Sequence, residues 1–375
     1  AKKKYTFIDL FAGCGGLSLG LEQAGFNLCF VNEIVEQFAH THKVNHNLSD
    51  NNYYVGDIAL LNKDIEKYRK FIKDVTLVCG GPPCQGFSMA NRQRLIDDPR
   101  NNLYKQFLIF LNHVRPKFFI MENVKGMMNK FDEIIQNFND YLGDEYQYDY
   151  AILKAQDFGV PQNRERFIMI GDRIGISPKK IFAEIEKHKR QPYVLRDALL
   201  GLPHLEPRKQ KGAKDIENIE SGFTERDFEY IKNSFYDFIN DGREIHKLYN
   251  HKNRYNNPRD IEIYRRLPQG ANSLHKSIAD IMPYKRRNDI FKDKYFKLDE
   301  TQICKTITSH MKFDCNMYIH PWEARGLSPR EAARIQTFPD DYIFTGAQNL
   351  WYAQIGNAVP VKLAKAIGDG IMKFA

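Results

Sequence analysis

Through the first half of the chain, short apolar runs alternate with stretches of helical periodicity. Tyr5 to Ala12 is apolar and ends in Gly13-Cys14-Gly15-Gly16. Leu17, Leu19, Leu21 and Ala24 then recur at helical spacing, with Gly25 as a stop. The pattern predicts strand, glycine turn, helix. Leu28–Val31 reads as a second strand ending at Asn32-Glu33, followed by a helix from Ile34 to about His46. Tyr53–Val55 leads into Gly56-Asp57, and Val75–Cys79 is a fourth strand. A helix around Phe107–Leu111 precedes a fifth strand, Lys117–Met121, which ends at Glu122-Asn123-Val124. Tyr148–Leu153 and Arg166–Ile170 complete the series. Strands alternating with helices predict an α/β fold with a doubly wound, mostly parallel sheet covered on both faces.

Past about residue 180 the periodicity weakens and the chain turns polar, basic and aromatic, as in Asn250-His251-Lys252-Asn253-Arg254-Tyr255-Asn256-Asn257. Regular patterning returns near Leu327. Ser328, Pro329 and Glu331 have the order of a capping box with proline at the first helical position. In the tail, Leu363, Ala364, Ile367 and Ile371 share one helical face that needs a core to pack on. The economical arrangement returns the tail to the first domain. That gives a domain of residues 1–185 plus 321–375, with 186–320 as an irregular insertion.

Composition narrows the class. A chain of 375 residues, 42% hydrophobic, can bury a substantial core and is not disordered. No apolar run reaches the ~18 residues that span a bilayer. The basic start of the chain lacks a signal-peptide core, because Asp9 interrupts it, so a cytoplasmic protein is expected. Net charge is +8 and unevenly placed: residues 179–320 hold 28 Lys+Arg against 21 Asp+Glu, giving +7. That imbalance points to a face that binds a polyanion. The six cysteines form no CxxC pair, and no His/Cys cluster has zinc-like spacing, which argues against a metal site.

One cysteine stands apart. Cys84 follows Gly80-Gly81-Pro82-Pro83 directly after the fourth strand. Proline fixes φ and removes a donor, so the thiol sits on a stiff, non-helical loop at a strand's carboxyl end, where open α/β sheets bind ligands. The glycine turn at 11–16 departs from both the dinucleotide fingerprint and the phosphate loop, which argues against NAD and ATP. Glu33, about 20 residues on, suits ribose hydroxyls, and Asp57 could accept from an adenine amino group. Together these favour an adenosine ligand without a pyrophosphate, which suggests S-adenosylmethionine.

Taken in order, the glycine turn, Glu33, Gly56-Asp57, Pro82-Pro83-Cys84, Glu122-Asn123-Val124, Gln162-Asn163-Arg164-Glu165-Arg166, the helix at 326–338 and Gln354-Ile355-Gly356-Asn357-Ala358-Val359-Pro360 resemble the DNA (cytosine-5)-methyltransferase family of bacterial restriction-modification systems. The resemblance covers residues 5–171 and 322–375 and implies the S-adenosylmethionine-dependent methyltransferase fold, with 186–320 as the target-recognition domain. It implies methyl transfer to C5 of a specific cytosine in double-stranded DNA, through base flipping and a covalent cysteine adduct at C6. Cys84 is then the nucleophile, and Glu122, Arg164 and Arg166 are the other catalytic residues; Arg166 would bind cytosine O2, and Glu165 is a structural partner between the arginines. Implied cofactor contacts are Phe11, which would stack on adenine, Gly13, Gly16, Glu33, Ile34, Asp57, Ile58, Pro83, Leu103, Asn357 and Val359. Implied DNA contacts are Gln85, Ser88, Arg92 and Arg94 in and after the Cys84 loop, with Thr306 at the end of the recognition domain. The expected partners are duplex DNA and a cognate restriction endonuclease; a monomer is expected, without metal or membrane. Two rivals are a tRNA cytosine-5 methyltransferase of the same fold and a non-catalytic DNA-binding relative. The intact Cys84, Glu122 and glycine turn argue against the second.

Overall fold

The computed structural model describes residues 3–83, 94–209, 211, 225–283 and 294–375. They fall into two compact units. One comprises residues 1–158, 165–190 and 359–375, the other 159–164 and 191–358.

The first unit is built on a seven-stranded sheet ordered β3-β2-β1-β4-β5-β7-β6. Its strands are β1 (Thr6–Leu10), β2 (Asn27–Glu33), β3 (Tyr53–Val55), β4 (Leu77–Gly80), β5 (Phe118–Val124), β6 (Gln147–Lys154) and β7 (Glu165–Asp172). Pairing from β3 through β5 is parallel; β7 runs antiparallel to both β5 and β6. All the strands expected from the apolar runs are present. The sheet reverses direction in strand order on either side of β1–β4, the kind of switch point at which α/β sheets place ligands.

Helices connect the strands and follow the last of them: α1 (Gly16–Gln23), α2 (Glu36–Asn45), α3 (Ile58–Lys63), α4 (Arg69–Ile72), α5 (Asn102–Val114), α6 (Phe131–Leu142) and α7 (Pro178–Glu186). Alternate residues of the strands serve opposite faces. Ile8, Leu10, Val78, Phe119 and Met121 pack with Tyr104, Phe107, Leu108 and Leu111 of α5 and with Ile134 and Phe138 of α6. The intervening Phe7, Leu77, Phe118 and Ile120 are equally buried. A face sealed on both sides needs continuous apolar strands, which is why periodicity two is faint in them.

The final helix, α13 (Val361–Met372), packs on α1 and α7, as its apolar face requires. Glycines set the distance: a Cβ at Gly20 would lie 2.4 Å from that of Ala364, and one at Gly368 would lie 2.7 Å from that of Ala24.

The second unit has little regular structure: α8 (Leu195–Leu199), a two-stranded ribbon of β8 (Glu225–Asp227) and β9 (Lys247–Tyr249), α9 (Ser234–Asn240), α10 (Pro258–Arg266), α11 (Pro329–Ile335) and α12 (Gln348–Asn357). Ser328 caps α11 in a reciprocal capping box with Glu331, and Pro329 opens the helix. The contact boundary differs from the expected 1–185 plus 321–375 division, because residues 321–358 pack with 191–320. The reason is a set of buried polar ties. Arg330 donates to the Tyr249 carbonyl at 2.9 Å, Asn240 donates to Asp340 at 2.9 Å, and His251 meets the Ser328 hydroxyl at 2.8 Å. Among the described residues no helix is long and apolar enough to cross a membrane.

Candidate active site

Five strand ends of the first unit present the candidate residues along one edge of the sheet. After β1, Phe11 and Gly13 take positive φ (54° and 58°), and Gly15 reaches 105° as the N-cap of α1. A Cβ on Gly13 would meet nothing within 4 Å, so open space borders the turn. Glu33 braces this loop. Its Oε1 accepts from the Gly13 amide and its Oε2 from the Val35 amide, both at 2.8 Å. Burial raises the Glu33 pKa, and these amides pull it back. Each carboxylate oxygen keeps accepting capacity beyond one bond.

The neighbouring strand ends carry the other expected cofactor contacts. Ile34 is 58% exposed, an apolar side chain left in the open beside the Glu33 strand end. Asp57 caps α3 through the Ala59 amide at 2.9 Å, with Ile58 buried behind it. The Phe11 ring is half-buried, 6.4 Å from the ring of Phe107, and Leu103 packs at the edge of the same core. Gly16 begins α1 and is buried. Asn357 ends α12, in the second unit, and is exposed; Val359 begins the segment that rejoins the first unit and is buried. Pro83 is exposed.

The second cluster forms where β7 runs back along β5. Val124 pairs with Arg166 and Glu122 with Ile168, so Glu122 and Arg166 are diagonal neighbours on one face. Arg166 Nε lies 3.4 Å from Glu122 Oε1, and both side chains are largely buried. Burial lowers the guanidinium's pKa, and Glu122 opposes that shift. The loop that leads to Cys84 is fastened to this pair. Asn123 Nδ2 donates to the Pro82 carbonyl at 2.8 Å, and a Cβ on Gly81 would lie 2.6 Å from Glu122 Oε2.

Gly81 is therefore small to admit a carboxylate. Neither Gly80 nor Gly81 uses positive φ, so close approach, not unusual backbone angles, explains this pair. Asn123 was legible as part of a motif but its clamp on Pro82 was not; the signal is a side chain that both faces of a sealed strand would otherwise make apolar.

Cys84, Gln85, Ser88 and Arg92 lie outside the described residues. Arg94 is exposed and pairs with Asp97 at 2.6 Å. In the second unit, Arg164 is buried and its donors go to carbonyls: Ile307 at 2.5 Å, and Gly356 and Ala358 at 3.1 Å each. Gln162 completes that knot, accepting from the Ile307 amide at 2.9 Å and donating to Gln336 at 2.7 Å. Thr306 donates to the Asn163 carbonyl at 2.5 Å. Glu165 pairs with Lys125 at 2.8 Å and Lys154 at 4.0 Å, so lysines rather than the flanking arginines neutralise it; Arg166 instead donates to the Glu165 carbonyl at 2.8 Å.

Known proteins resemble the chain over nearly its whole length. The sequence model of the family described as "C-5 cytosine-specific DNA methylase" matches residues 5–373. The type II methyltransferase M1.HphI of Haemophilus parahaemolyticus is 31% identical over 98% of this chain and 87% of its own length. The type II methyltransferase M.DdeI of Desulfomicrobium norvegicum is 32% identical over 98% and 88%. Among solved structures, a putative DNA modification methyltransferase encoded within an E. coli prophage superposes with a TM-score of 0.73 at 27% identity, covering 99% of both chains. Dnmt2 of S. pombe shares the fold at 16% identity and a TM-score of 0.57. With the match running from the first strand to the last helix, the chain belongs to the C-5 cytosine-specific DNA methylases and is a DNA cytosine-5 methyltransferase of the restriction-modification type.

Proposed function

We propose that the protein transfers a methyl group from S-adenosylmethionine to C5 of one cytosine within a defined duplex sequence, with Cys84 as nucleophile. The observation that carries this reading is the fastening of the Pro82-Pro83 loop to β5 through Asn123 and Gly81, beside the Glu122–Arg166 pair. The bound cofactor supplies an electrophilic methyl sulfonium. C5 of cytosine is a poor nucleophile, and addition of the Cys84 thiolate at C6 converts the ring to an enamine that can attack. Glu122 shares a proton with ring N3, relieving the charge that develops during addition. Arg166 holds O2 and adds positive field for the thiolate. The Sγ–C6 bond then breaks as the C5 proton passes to solvent, restoring the thiolate and an aromatic ring. The target base must leave the helix to meet these groups.

The adenosine portion fits the open turn at Gly13, the carboxylates of Glu33 and Asp57 and the apolar Phe11 and Ile34; Gly16, Ile58, Pro83, Leu103, Asn357 and Val359 complete the assignment. Arg164 acts as a positioning residue, since its donors hold the carbonyls of 307, 356 and 358. Residues 186–320 read the target, with Thr306, Gln85, Ser88, Arg92 and Arg94 against the backbone and bases. The protein serves as a cytoplasmic monomer, and its pairing with a cognate restriction endonuclease accords with the type II designation of its relatives.

The test is methyl transfer from labelled cofactor to duplex DNA and, in parallel, to tRNA, followed by bisulfite sequencing of DNA from expressing cells. Position-specific cytosine protection is expected. Labelled tRNA with blank DNA would overturn the substrate, and undiminished turnover in Cys84→Ser the nucleophile.

A further inference from the structure

A buried polar chain beneath the glycine turn takes no part in the chemistry above. Asp9, in β1, accepts a 2.5 Å hydrogen bond at Oδ2 from the hydroxyl of Ser18, in the first turn of α1. That hydroxyl lies 3.0 Å from His42 Nε2, and His42 Nδ1 lies 2.7 Å from the Tyr53 hydroxyl. Cys79 Sγ approaches Asp9 Oδ1 at 3.6 Å. Asp9, Ser18, His42 and Cys79 are at most 1% exposed. The chain joins β1, α1, α2 and β3, the elements that bound the loops carrying Phe11, Gly13, Glu33 and Asp57.

We propose that Asp9 is a positioning residue whose ionised carboxylate, held under the glycine turn by Ser18 and His42, favours the sulfonium cofactor over its neutral thioether product. This rests on the cofactor assignment above. The two ligands differ by one methyl group and one positive charge, so a fixed negative charge buried beneath the turn favours only the first. Burial gives that charge an unusual cost. It pushes the Asp9 carboxyl from 3.8 up to about 7, with Ser18 and Cys79 pulling it down and Glu33 pushing it further up.

The hydrogen bonds accommodate both forms. With Asp9 ionised, Ser18 donates to it and accepts from His42 Nε2–H, while Nδ1 accepts from Tyr53. With Asp9 protonated, Asp9 donates to Ser18, Ser18 donates to Nε2, and the ring proton moves to Nδ1. Burial, with His46 stacked 4.1 Å away, holds His42 well below its ordinary value, so the ring stays neutral in both. The other groups facing the carboxylate do not titrate near neutrality in its place: burial raises the Cys79 thiol well above its ordinary value and the Cys14 thiol to about 12. Glu33 is the remaining acid with a raised pKa, and the variants below separate it from Asp9.

The experiment is calorimetric binding of S-adenosylmethionine and S-adenosylhomocysteine to the full chain at pH 6, 7 and 8. The readout is the ratio of the two dissociation constants. The preference for the sulfonium is expected to rise roughly threefold between pH 6 and 8, which corresponds to a coupling of about half a pKa unit. Asp9→Asn should flatten the profile. Ser18→Ala should move its midpoint to higher pH, because it removes a bond that stabilises the carboxylate. A merely structural role would weaken both ligands alike and leave the ratio's pH profile unmoved. A flat wild-type profile, or one retained in Asp9→Asn, overturns the proposal while leaving the cofactor assignment intact. If Asp9→Asn fails to fold, a wild-type rise with an unshifted Ser18→Ala midpoint overturns it. Failure of both ligands to bind at every pH overturns the cofactor assignment together with the inference drawn from it.

Discussion

At the scale of single residues, the site depends on side chains that are absent as much as on those present. Gly81 leaves room for the Glu122 carboxylate, and adding one methyl would force the carboxylate or the Pro82 loop aside. Gly81→Ala should lower kcat by roughly 10- to 100-fold, the usual consequence of a displacement near 1 Å at reacting groups. A melting temperature close to wild type would separate this from unfolding. Asn123→Ala should also act on kcat, since it releases the Pro82 carbonyl, while cofactor affinity measured by calorimetry stays within a few-fold. Asp9 has a stability consequence with a definite sign. Its folded pKa, about 7, lies above the ordinary 3.8, so the folded state binds a proton more tightly than the unfolded one. Its contribution is fully present below about pH 4 and falls as pH rises to about 7. The stability of Asp9→Asn relative to wild type should therefore rise as pH goes from about 4 to about 7 in urea titrations, with no further gain above.

At the scale of elements, the position of α13 shows how closely helices must approach. Gly20 and Gly368 bring α1 and α13 into contact with no space for another carbon. Gly20→Val should cost about 1–3 kcal/mol of stability by overpacking, visible as a lower urea midpoint at unchanged slope. The antiparallel β7 matters more for the candidate site. Had it run parallel, its amino end would lie at the opposite edge of the sheet and Arg166 could not stand diagonal to Glu122. The apolar runs marked every strand of this sheet, because a sealed sheet needs them, but a run of apolar residues carries no direction. The capping box at Ser328 was equally legible, being a local device whose partners are three residues apart.

At the scale of the molecule, the second unit sets buried ion pairs among its apolar clusters. Arg334 and Asp340 are both fully buried and meet at 2.8 Å, and Arg325 meets Glu331 at 2.7 Å. Burial alone would raise both acids; the guanidinium of Arg334 holds Asp340 below its ordinary value, and Arg325 with His320 holds Glu331 well below. For such depressed acids the contribution is present above the unfolded pKa, near 4, and is lost as pH falls through the lower folded value. Acid titration followed by circular dichroism should therefore show cooperative loss below about pH 4. Arg334→Ala should cost about 3–5 kcal/mol, because Asp340 would be left charged and buried alone.

The sequence by itself determined what is local or periodic. Apolar runs specified the strands, the glycine turn and the cysteine after Pro83 pointed to a candidate site, and the ordered motifs named the family. Only the tertiary structure decided which strand runs backward, that Gly81 exists for Glu122, that Glu165 is neutralised by lysines, and that 321–358 packs with the residues before it. Those features depend on contacts between positions tens to hundreds of residues apart. Such contacts leave no period in a sequence: a buried arginine and an exposed one are written with the same letter, and only burial reveals the carboxylate or carbonyl that holds it.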